Sequence, residues 1–408
     1  MAQTGGPITF RSICCFVLVL FHTPCVLGAE QEPIHFSADS NVGTRRGEEI
    51  LIQYVGHVVI TQGSMRLHAD EATYSRDAKQ AKLERHVVIE DSVENRGKIL
   101  LRGNQATYDH ADRRADLVGQ VIAQDSTATL TAAQLTYWRA DRRALGTGDV
   151  CFRDRGRELK ADRITYFGEE RKAIAQDQVF LSDSTRGITV RCAYAEYLVG
   201  EKSAWVTGAP QLTREATGES YPTTVTAERM EFYSRENKSV ATGGVRIVRG
   251  NLEAFCDKVT HLEAENRFVL SGNPRAVQVT EKENGVRFEN EVQGDQIEIL
   301  FHEDVADQIV VSGSAQGKST RIEAGNSAPQ VSYVKGRTMR LLTADEQVRE
   351  ILVEGNATSF YHLPPDEERL GGDTNEASGD TIRFFFEDAE VSRVRICGGV
   401  VGHYRSAQ

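Results

Sequence analysis

Apolar and polar residues alternate at period two along most of this chain, the spacing of strands rather than helices. The alternation is organised by a recurring template, apolar-x-small-x-x-apolar-x-aromatic/apolar. It is spelled LHADEATY at 67–74, LRGNQATY at 101–108, LTAAQLTY at 130–137, LKADRITY at 159–166 and VRCAYAEY at 190–197. Looser copies at 225–232, 254–261, 292–299, 334–341 and 377–384 bring the count to ten. Within a copy the two halves run on opposite parity: Leu67 and Ala69 share one phase, Ala72 and Tyr74 the other. Such a change of phase needs a bulge or corner between the halves. The small residue (Ala69, Gly103, Ala132, Ala161, Cys192, Ala227, Cys256, Gly294, Gly336, Gly379) is expected at that corner. Each copy therefore predicts a bent strand, and the inner sides together predict one continuous trough.

A second element follows each template, as in ADLVGQVIAQD at 115–125 and ALGTGDVCFRD at 144–154. Its alternating apolar residues run into a Gly and resume beyond it. Polar turns such as 108–114 separate the elements. A repeat of this size cannot bury its apolar side alone, so neighbours must stack. Stacking at about 4.8 Å per repeat would give a trough of roughly 48 Å. The expected fold class is all-β and elongated, built of bent two-strand repeats. The template copies lie farther apart after about residue 272, which predicts longer loops, among them Glu281–Glu291 and Leu363–Ser378.

Composition narrows the setting. Residues 1–29 join Arg11 to an apolar run from Ile13 to Phe21 and end on Gly28-Ala29, the form of a signal peptide cleaved after Ala29. Cys15 and Cys25 are candidates for lipidation, but the residues before them fit a bacterial lipobox poorly. The expected organisation is a signal peptide at 1–29 and one β-repeat domain over 30–408, with room for a subdivision near residue 215. The formal net charge is −11, and one unit more negative once Arg11 is removed. An acidic chain without a basic cluster is not expected to bind nucleic acid. Cys151, Cys192, Cys256 and Cys397 remain after cleavage, widely spaced and without a CxxC. Cys192 and Cys256 serve as plain small residues at the corner, while pairing of Cys151 with Cys397 stays open.

The pattern G-x-V-x-[IVF]-x-x-G-x-x-x-L-x-A-D-x-x-x-Y stands at 55–74 as VGHVVITQGSMRLHADEATY and, with its second Gly one position later at Gly156, at 148–166 as GDVCFRDRGRELKADRITY. It resembles the OstA/LptA family of lipopolysaccharide-transport proteins, over roughly residues 34–400. The resemblance implies a twisted, V-shaped antiparallel β-jellyroll in the periplasm. It further implies lipopolysaccharide or another glycolipid as ligand, its acyl chains held in the trough. The partners it implies are OstA-like proteins joined head-to-tail through end strands. The expectation is an extended member, longer than the bridge members and without the C-terminal barrel of the outer-membrane member.

The trough-lining candidates are Leu67, Tyr74, Leu101, Tyr108, Leu130, Tyr137, Leu159, Ile164, Tyr166, Val190, Tyr197, Val225 and Phe232. For these columns the readings are lipid contact and cross-strand packing, which use the same inner face. Asp70, Asp162, Asp257, Asp295 and Asp380 follow the corner residue and are read as serving the repeat itself. No histidine motif or triad appears, so catalytic, metal and cofactor roles are not expected. The expected function is a periplasmic lipid-binding bridge or chaperone. The competing readings are a structural or adhesive envelope protein without a lipid, and a β-solenoid hydrolase, which the even scatter of carboxylates disfavours.

Overall fold

The period-two alternation becomes strand throughout. The computed structural model describes residues 32–93, 97–124, 128–154, 156–198, 200–216, 221–281, 285–302, 305–322, 329–344, 347–362, 373–387 and 390–406. Among these lie 28 strands and one short 3-10 turn at Glu263–Glu265. The expected signal peptide and Cys25 fall outside the described residues. The chain divides into two units between Pro210 and Gln211, with Tyr233–Arg235 grouped with the first.

The first unit contains β1 (Ile34–Ser37), β2 (Ser40–Arg46), β3 (Glu49–Gln62), β4 (Met65–Ser75), β5 (Gln80–Val93), β6 (Gly97–Asp109) and β7 (Arg114–Gln124). It continues through β8 (Ala128–Trp138), β9 (Arg143–Asp154), β10 (Arg157–Phe167), β11 (Lys172–Asp183), β12 (Ile188–Leu198) and β13 (Ser203–Thr207). From β2 onward each strand pairs antiparallel with the next, template and second element alternating. A repeat therefore advances by two strand spacings, about 9.6 Å, rather than the single spacing assumed from sequence.

The second unit contains β14 (Gln211–Arg214), β15 (Thr223–Thr226), β16 (Arg229–Tyr233), β17 (Lys238–Arg249), β18 (Leu252–Leu262), β19 (Arg267–Ser271), β20 (Arg275–Glu281) and β21 (Arg287–Gln293). It ends with β22 (Gln296–His302), β23 (Val305–Ile322), β24 (Gln330–Ala344), β25 (Gln347–His362), β26 (Thr374–Glu387), β27 (Glu390–Cys397) and β28 (Val401–Arg405). Much of the extra length of the later repeats is strand, not loop. β23 has 18 residues where β4 has 11, and the expected 281–291 insertion is largely the β20–β21 hairpin. Of the segment 363–378, residues 363–372 lie outside those described, and the rest opens β26.

The bend lies where the parity changes, but the extra residue sits on the second element rather than the template. Val55 pairs with Glu71 and Val58 with Ala69, so Gly56 and His57 of β3 together oppose Asp70 alone. Two residues against one is a β-bulge. Both bulge residues are left-handed, at φ +81° and +43°. The same left-handed pair recurs at Gly119-Gln120 in β7, Gly148-Asp149 in β9, Gly313-Ser314 in β23 and Gly355-Asn356 in β25.

Gly148 explains why glycine opens this pair. A Cβ there would stand 2.8 Å from the Cβ of Ala133, the residue after the corner of the preceding template. The backbone N–H of that same post-corner residue donates to the glycine carbonyl in several repeats: Asp39 to Gly56 at 2.9 Å, Asp257 to Gly272 at 3.0 Å, Asp380 to Gly398 at 2.8 Å. Two repeats dispense with the glycine, using Arg85-His86 and Asp177-Gln178. In both, the post-corner carboxylate meets the bulge side chain, Asp70 with His86 Nδ1 at 2.7 Å and Asp162 with Gln178 Nε2 at 3.4 Å, a contact that Asp39 and His57 Nδ1 also make at 2.8 Å beside Gly56.

Asp39 reveals a template the sequence pattern missed. Phe36 on β1 and Ala38 and Asp39 in the break after it form its first half, and β2 its second. β2 places Asn41 and Gly43 where the pattern asks for apolar residues, opposite Tyr54 and Ile52 of β3.

Candidate functional site

The bend gives the first unit two arms. One arm, here the upper, holds residues 58–62, 65–69, 87–93, 97–103 and their counterparts; the lower holds 51–55, 71–75, 80–84, 105–109 and theirs. Because parity changes at the bend, the apolar face of both arms turns to the same interior. Ile60, Leu67, Leu83, Ile89, Leu117 and Tyr108 are there essentially without solvent exposure.

The sequence-selected residues fall on this inner face in the first unit. Leu67, Leu101, Tyr108, Tyr137, Leu159, Ile164, Tyr166, Val190 and Tyr197 are buried, while Tyr74 and Leu130 are half-buried. Val225 and Phe232 belong to the second unit, the first half-buried and the second buried. Tyr74 packs on Phe36, ring centroids 4.8 Å apart, and its hydroxyl meets His110 Nε2 at 3.1 Å.

The tyrosine column also does something its apolar partners do not. The Tyr108 hydroxyl, on the lower arm, donates to the Gln62 side-chain carbonyl on the upper arm. One repeat further, the Tyr137 hydroxyl donates to Asp91 Oδ2 at 3.1 Å. Arg139, in the turn after β8, donates from Nε to the same oxygen at 3.1 Å and from Nη2 to Ser64 Oγ at 2.7 Å. Ser64 Oγ in turn donates to Asp91 Oδ1 at 2.9 Å. Glu32 forms longer ion pairs with Arg139 at 3.6 Å and Arg113 at 3.8 Å. These contacts form a polar seam along the rim opposite the bend.

Burial sets the electrostatics of the seam. Gln62 and Asp91 are 2% and 3% exposed, so each depends on the partners it finds here. Burial pushes the Tyr108 hydroxyl up to about 12, and burial with the nearby Asp91 carboxylate raises Tyr137 as well. For Arg139 burial pulls downward, but the Asp91 charge and hydrogen bond outweigh it and the net shift is upward. Asp91 thus holds a fixed cation.

Gln62, Ser64, Asp91, Arg113 and Arg139 were not singled out from sequence. Their trace there is the polar residue at or near the end of the second elements (Gln62, Asp91, Asp183), each of which is buried. Among the described residues Cys151, Cys192, Cys256 and Cys397 are free thiols, Cys151 and Cys256 buried and Cys397 exposed.

Residues 37–172 match the protein family described as LptA/(LptD N-terminal domain) LPS transport protein. The chain carries an OstA/LptA-like segment. That segment runs from the end of β1 to the start of β11 and contains the whole seam except Glu32. Among solved structures, the chain is similar to LptH of Pseudomonas aeruginosa, described as the LptA homologous periplasmic component of the lipopolysaccharide transport device. The identity is 21%, the match covers 26% of this chain and 76% of that one, and the TM-score is 0.24. No curated protein matches the chain.

Proposed function

We propose that the chain is a periplasmic lipid-binding bridge or chaperone that carries lipopolysaccharide or a related glycolipid toward the outer membrane. The observation that carries this reading is a coincidence of position. The segment matching the lipopolysaccharide-transport family is the one whose two arms enclose the buried column of Leu67, Leu101, Tyr108, Tyr137, Leu159 and Tyr166. An acyl chain held between the arms would gain about 0.8 kcal/mol per buried methylene. The edge strands supply a means of joining partners of the same fold. Among the described residues β1 and β2 pair with β3, and β27 and β28 pair with β26, so each unit presents an unpaired edge suited to strand addition.

The test is mass spectrometry of lipid carried by the purified mature protein, with photocrosslinking from Leu159 and Tyr166. Copurified glycolipid crosslinked at both positions is the expected result. No lipid and no crosslink would favour the structural or adhesive reading, in which the inner side chains only pack on one another.

A further inference from the structure

We infer that the seam is a side gate of the trough, latched by Asp91 and Arg139, through which acyl chains enter between the arms instead of from an end. The inference rests on the trough reading and adds a route to it. In the structure the inner side chains of the first unit are packed against one another, with Leu67, Ile89 and Tyr108 at 0% exposure. Loading a lipid there requires the arms to part.

Where they part follows from what joins them. Backbone ladders run along each arm and through the bend. At the rim, the arms are joined by side chains far apart in sequence: Tyr137 to Asp91 across 46 residues, Arg139 to Asp91 across 48, Arg139 to Ser64 across 75. Opening at the rim unpairs no strand, whereas opening at the bend would break the ladder on both sides of it. Opening also leaves no polar group stranded. The Asp91 carboxylate, the Arg139 guanidinium and the Tyr137 hydroxyl all lie at the solvent edge of the apolar interior and are hydrated once the arms separate. A closed latch of mutually satisfied polar groups above a packed apolar column can exchange its partners for water as chains move in.

Asp91 is the centre of the latch because it accepts from three donors, Ser64, Tyr137 and Arg139. Asp183 provides the contrast. Its ion pair with Arg157 at 3.4 Å is equally buried on the acid side, but the two residues are paired neighbours on the upper arm, so this pair does not join the arms.

The test places a thiol at Ala106, a buried inner position, in a full-length background whose native cysteines are replaced by alanine. Maleimide labelling of Ala106→Cys then reports opening. Asp91→Asn and Arg139→Gln should each speed labelling about tenfold or more and Tyr137→Phe by less, while Arg153→Gln, which removes an exposed ion pair with Glu158 between paired neighbours of the upper arm, should leave it unchanged, with far-UV circular dichroism confirming that each variant is folded. Transfer of pyrene-labelled phosphatidylglycerol from vesicles, followed in parallel without the added thiol, should accelerate in the same order. Unchanged labelling in both Asp91→Asn and Arg139→Gln overturns the gate. Lipid transfer that occurs at the same rate in all variants also overturns it, while leaving the trough reading standing. Faster labelling with no lipid transfer in any variant overturns the trough reading, and the lipid route with it.

Discussion

The bend makes a quantitative prediction at Gly148. Its φ of +77° is a conformation that an L side chain reaches at a penalty of about 1–2 kcal/mol. A Cβ there would also lie 2.8 Å from Ala133 Cβ, a methyl that has no rotamer to escape into. Relieving that overlap by shifting β8 from β9 belongs with overpacking changes, about 1–3 kcal/mol. Gly148→Ala should therefore destabilise the first unit by about 2–5 kcal/mol. Gly103→Ala is the internal control. Its backbone is not left-handed and an added Cβ meets Leu117 Cβ at 3.5 Å, ordinary contact, so the change should lie within about 1 kcal/mol of neutral. Urea denaturation followed by circular dichroism measures both. A third protein, Gly148→Ala with Ala133→Gly, removes the overlap but keeps the strained φ, and should recover the overpacking part alone. Gly148→Ala losing under 1 kcal/mol, or the double variant recovering nothing, would refute the account of the bulge.

Three other outcomes follow from side-chain geometry. Tyr108→Phe deprives the buried Gln62 carbonyl of its donor and should lower stability by about 1–2 kcal/mol, read from the shift in urea midpoint. In the second unit, burial and then the Arg214 charge push the His261 imidazole, stacked on Phe268, down to about 4. The unfolded state therefore binds the extra proton between pH 6.5 and pH 4. The stability from a neutral His261 is complete above pH 6.5 and falls by up to about 3 kcal/mol as the pH drops to 4, a loss that His261→Phe should abolish in a pH series of melting curves. Burial raises the Cys192 thiol to about 12 and the Cys256 thiol to about 11. Iodoacetamide on the native protein should thus modify the exposed Cys397 first, and a reductant should leave the melting temperature unchanged because the four thiols are free.

The parity change in each template was enough to place the bends, because a strand's side chains have no third direction in which to point. What parity could not assign was the strand that carries the extra residue. Ala69 and Asp70 look like the irregular pair in sequence, yet the left-handed residues are Gly56 and His57 opposite them, a relation that exists only after pairing. The β1–β2 template was illegible for a similar reason. Asn41 and Gly43 break its apolar pattern at the edge of the sheet, where β2 pairs only with β3 among the described residues. The inner columns were legible and the seam was not. Leu67 and Tyr108 repeat every unit, whereas Asp91, Ser64 and Arg139 meet once, across turns that periodicity treats as interchangeable.

The acidic net charge, at first sight adverse to a phosphorylated lipid, acts on a different step from retention. Long-range repulsion between the chain, formally −11, and an anionic headgroup opposes encounter, and is screened beyond about 8–10 Å at physiological salt. On the proposed function, retention would depend on the interior, where a chain of about 12 methylenes would gain about 10 kcal/mol on burial, a quantity salt hardly touches. The nearest cations do not alter this balance in the closed state, since Arg113 faces Glu32, and Arg139 faces both Asp91 and Glu32. On the proposed function, loading of pyrene-labelled phosphatidylglycerol should accelerate as salt is raised from about 20 to 200 mM, while release into acceptor vesicles stays constant. Stopped-flow fluorescence separates the two rates. Release that quickened steeply with salt would mean that headgroup ion pairs hold the lipid, and the acyl trough would lose its place as the source of affinity.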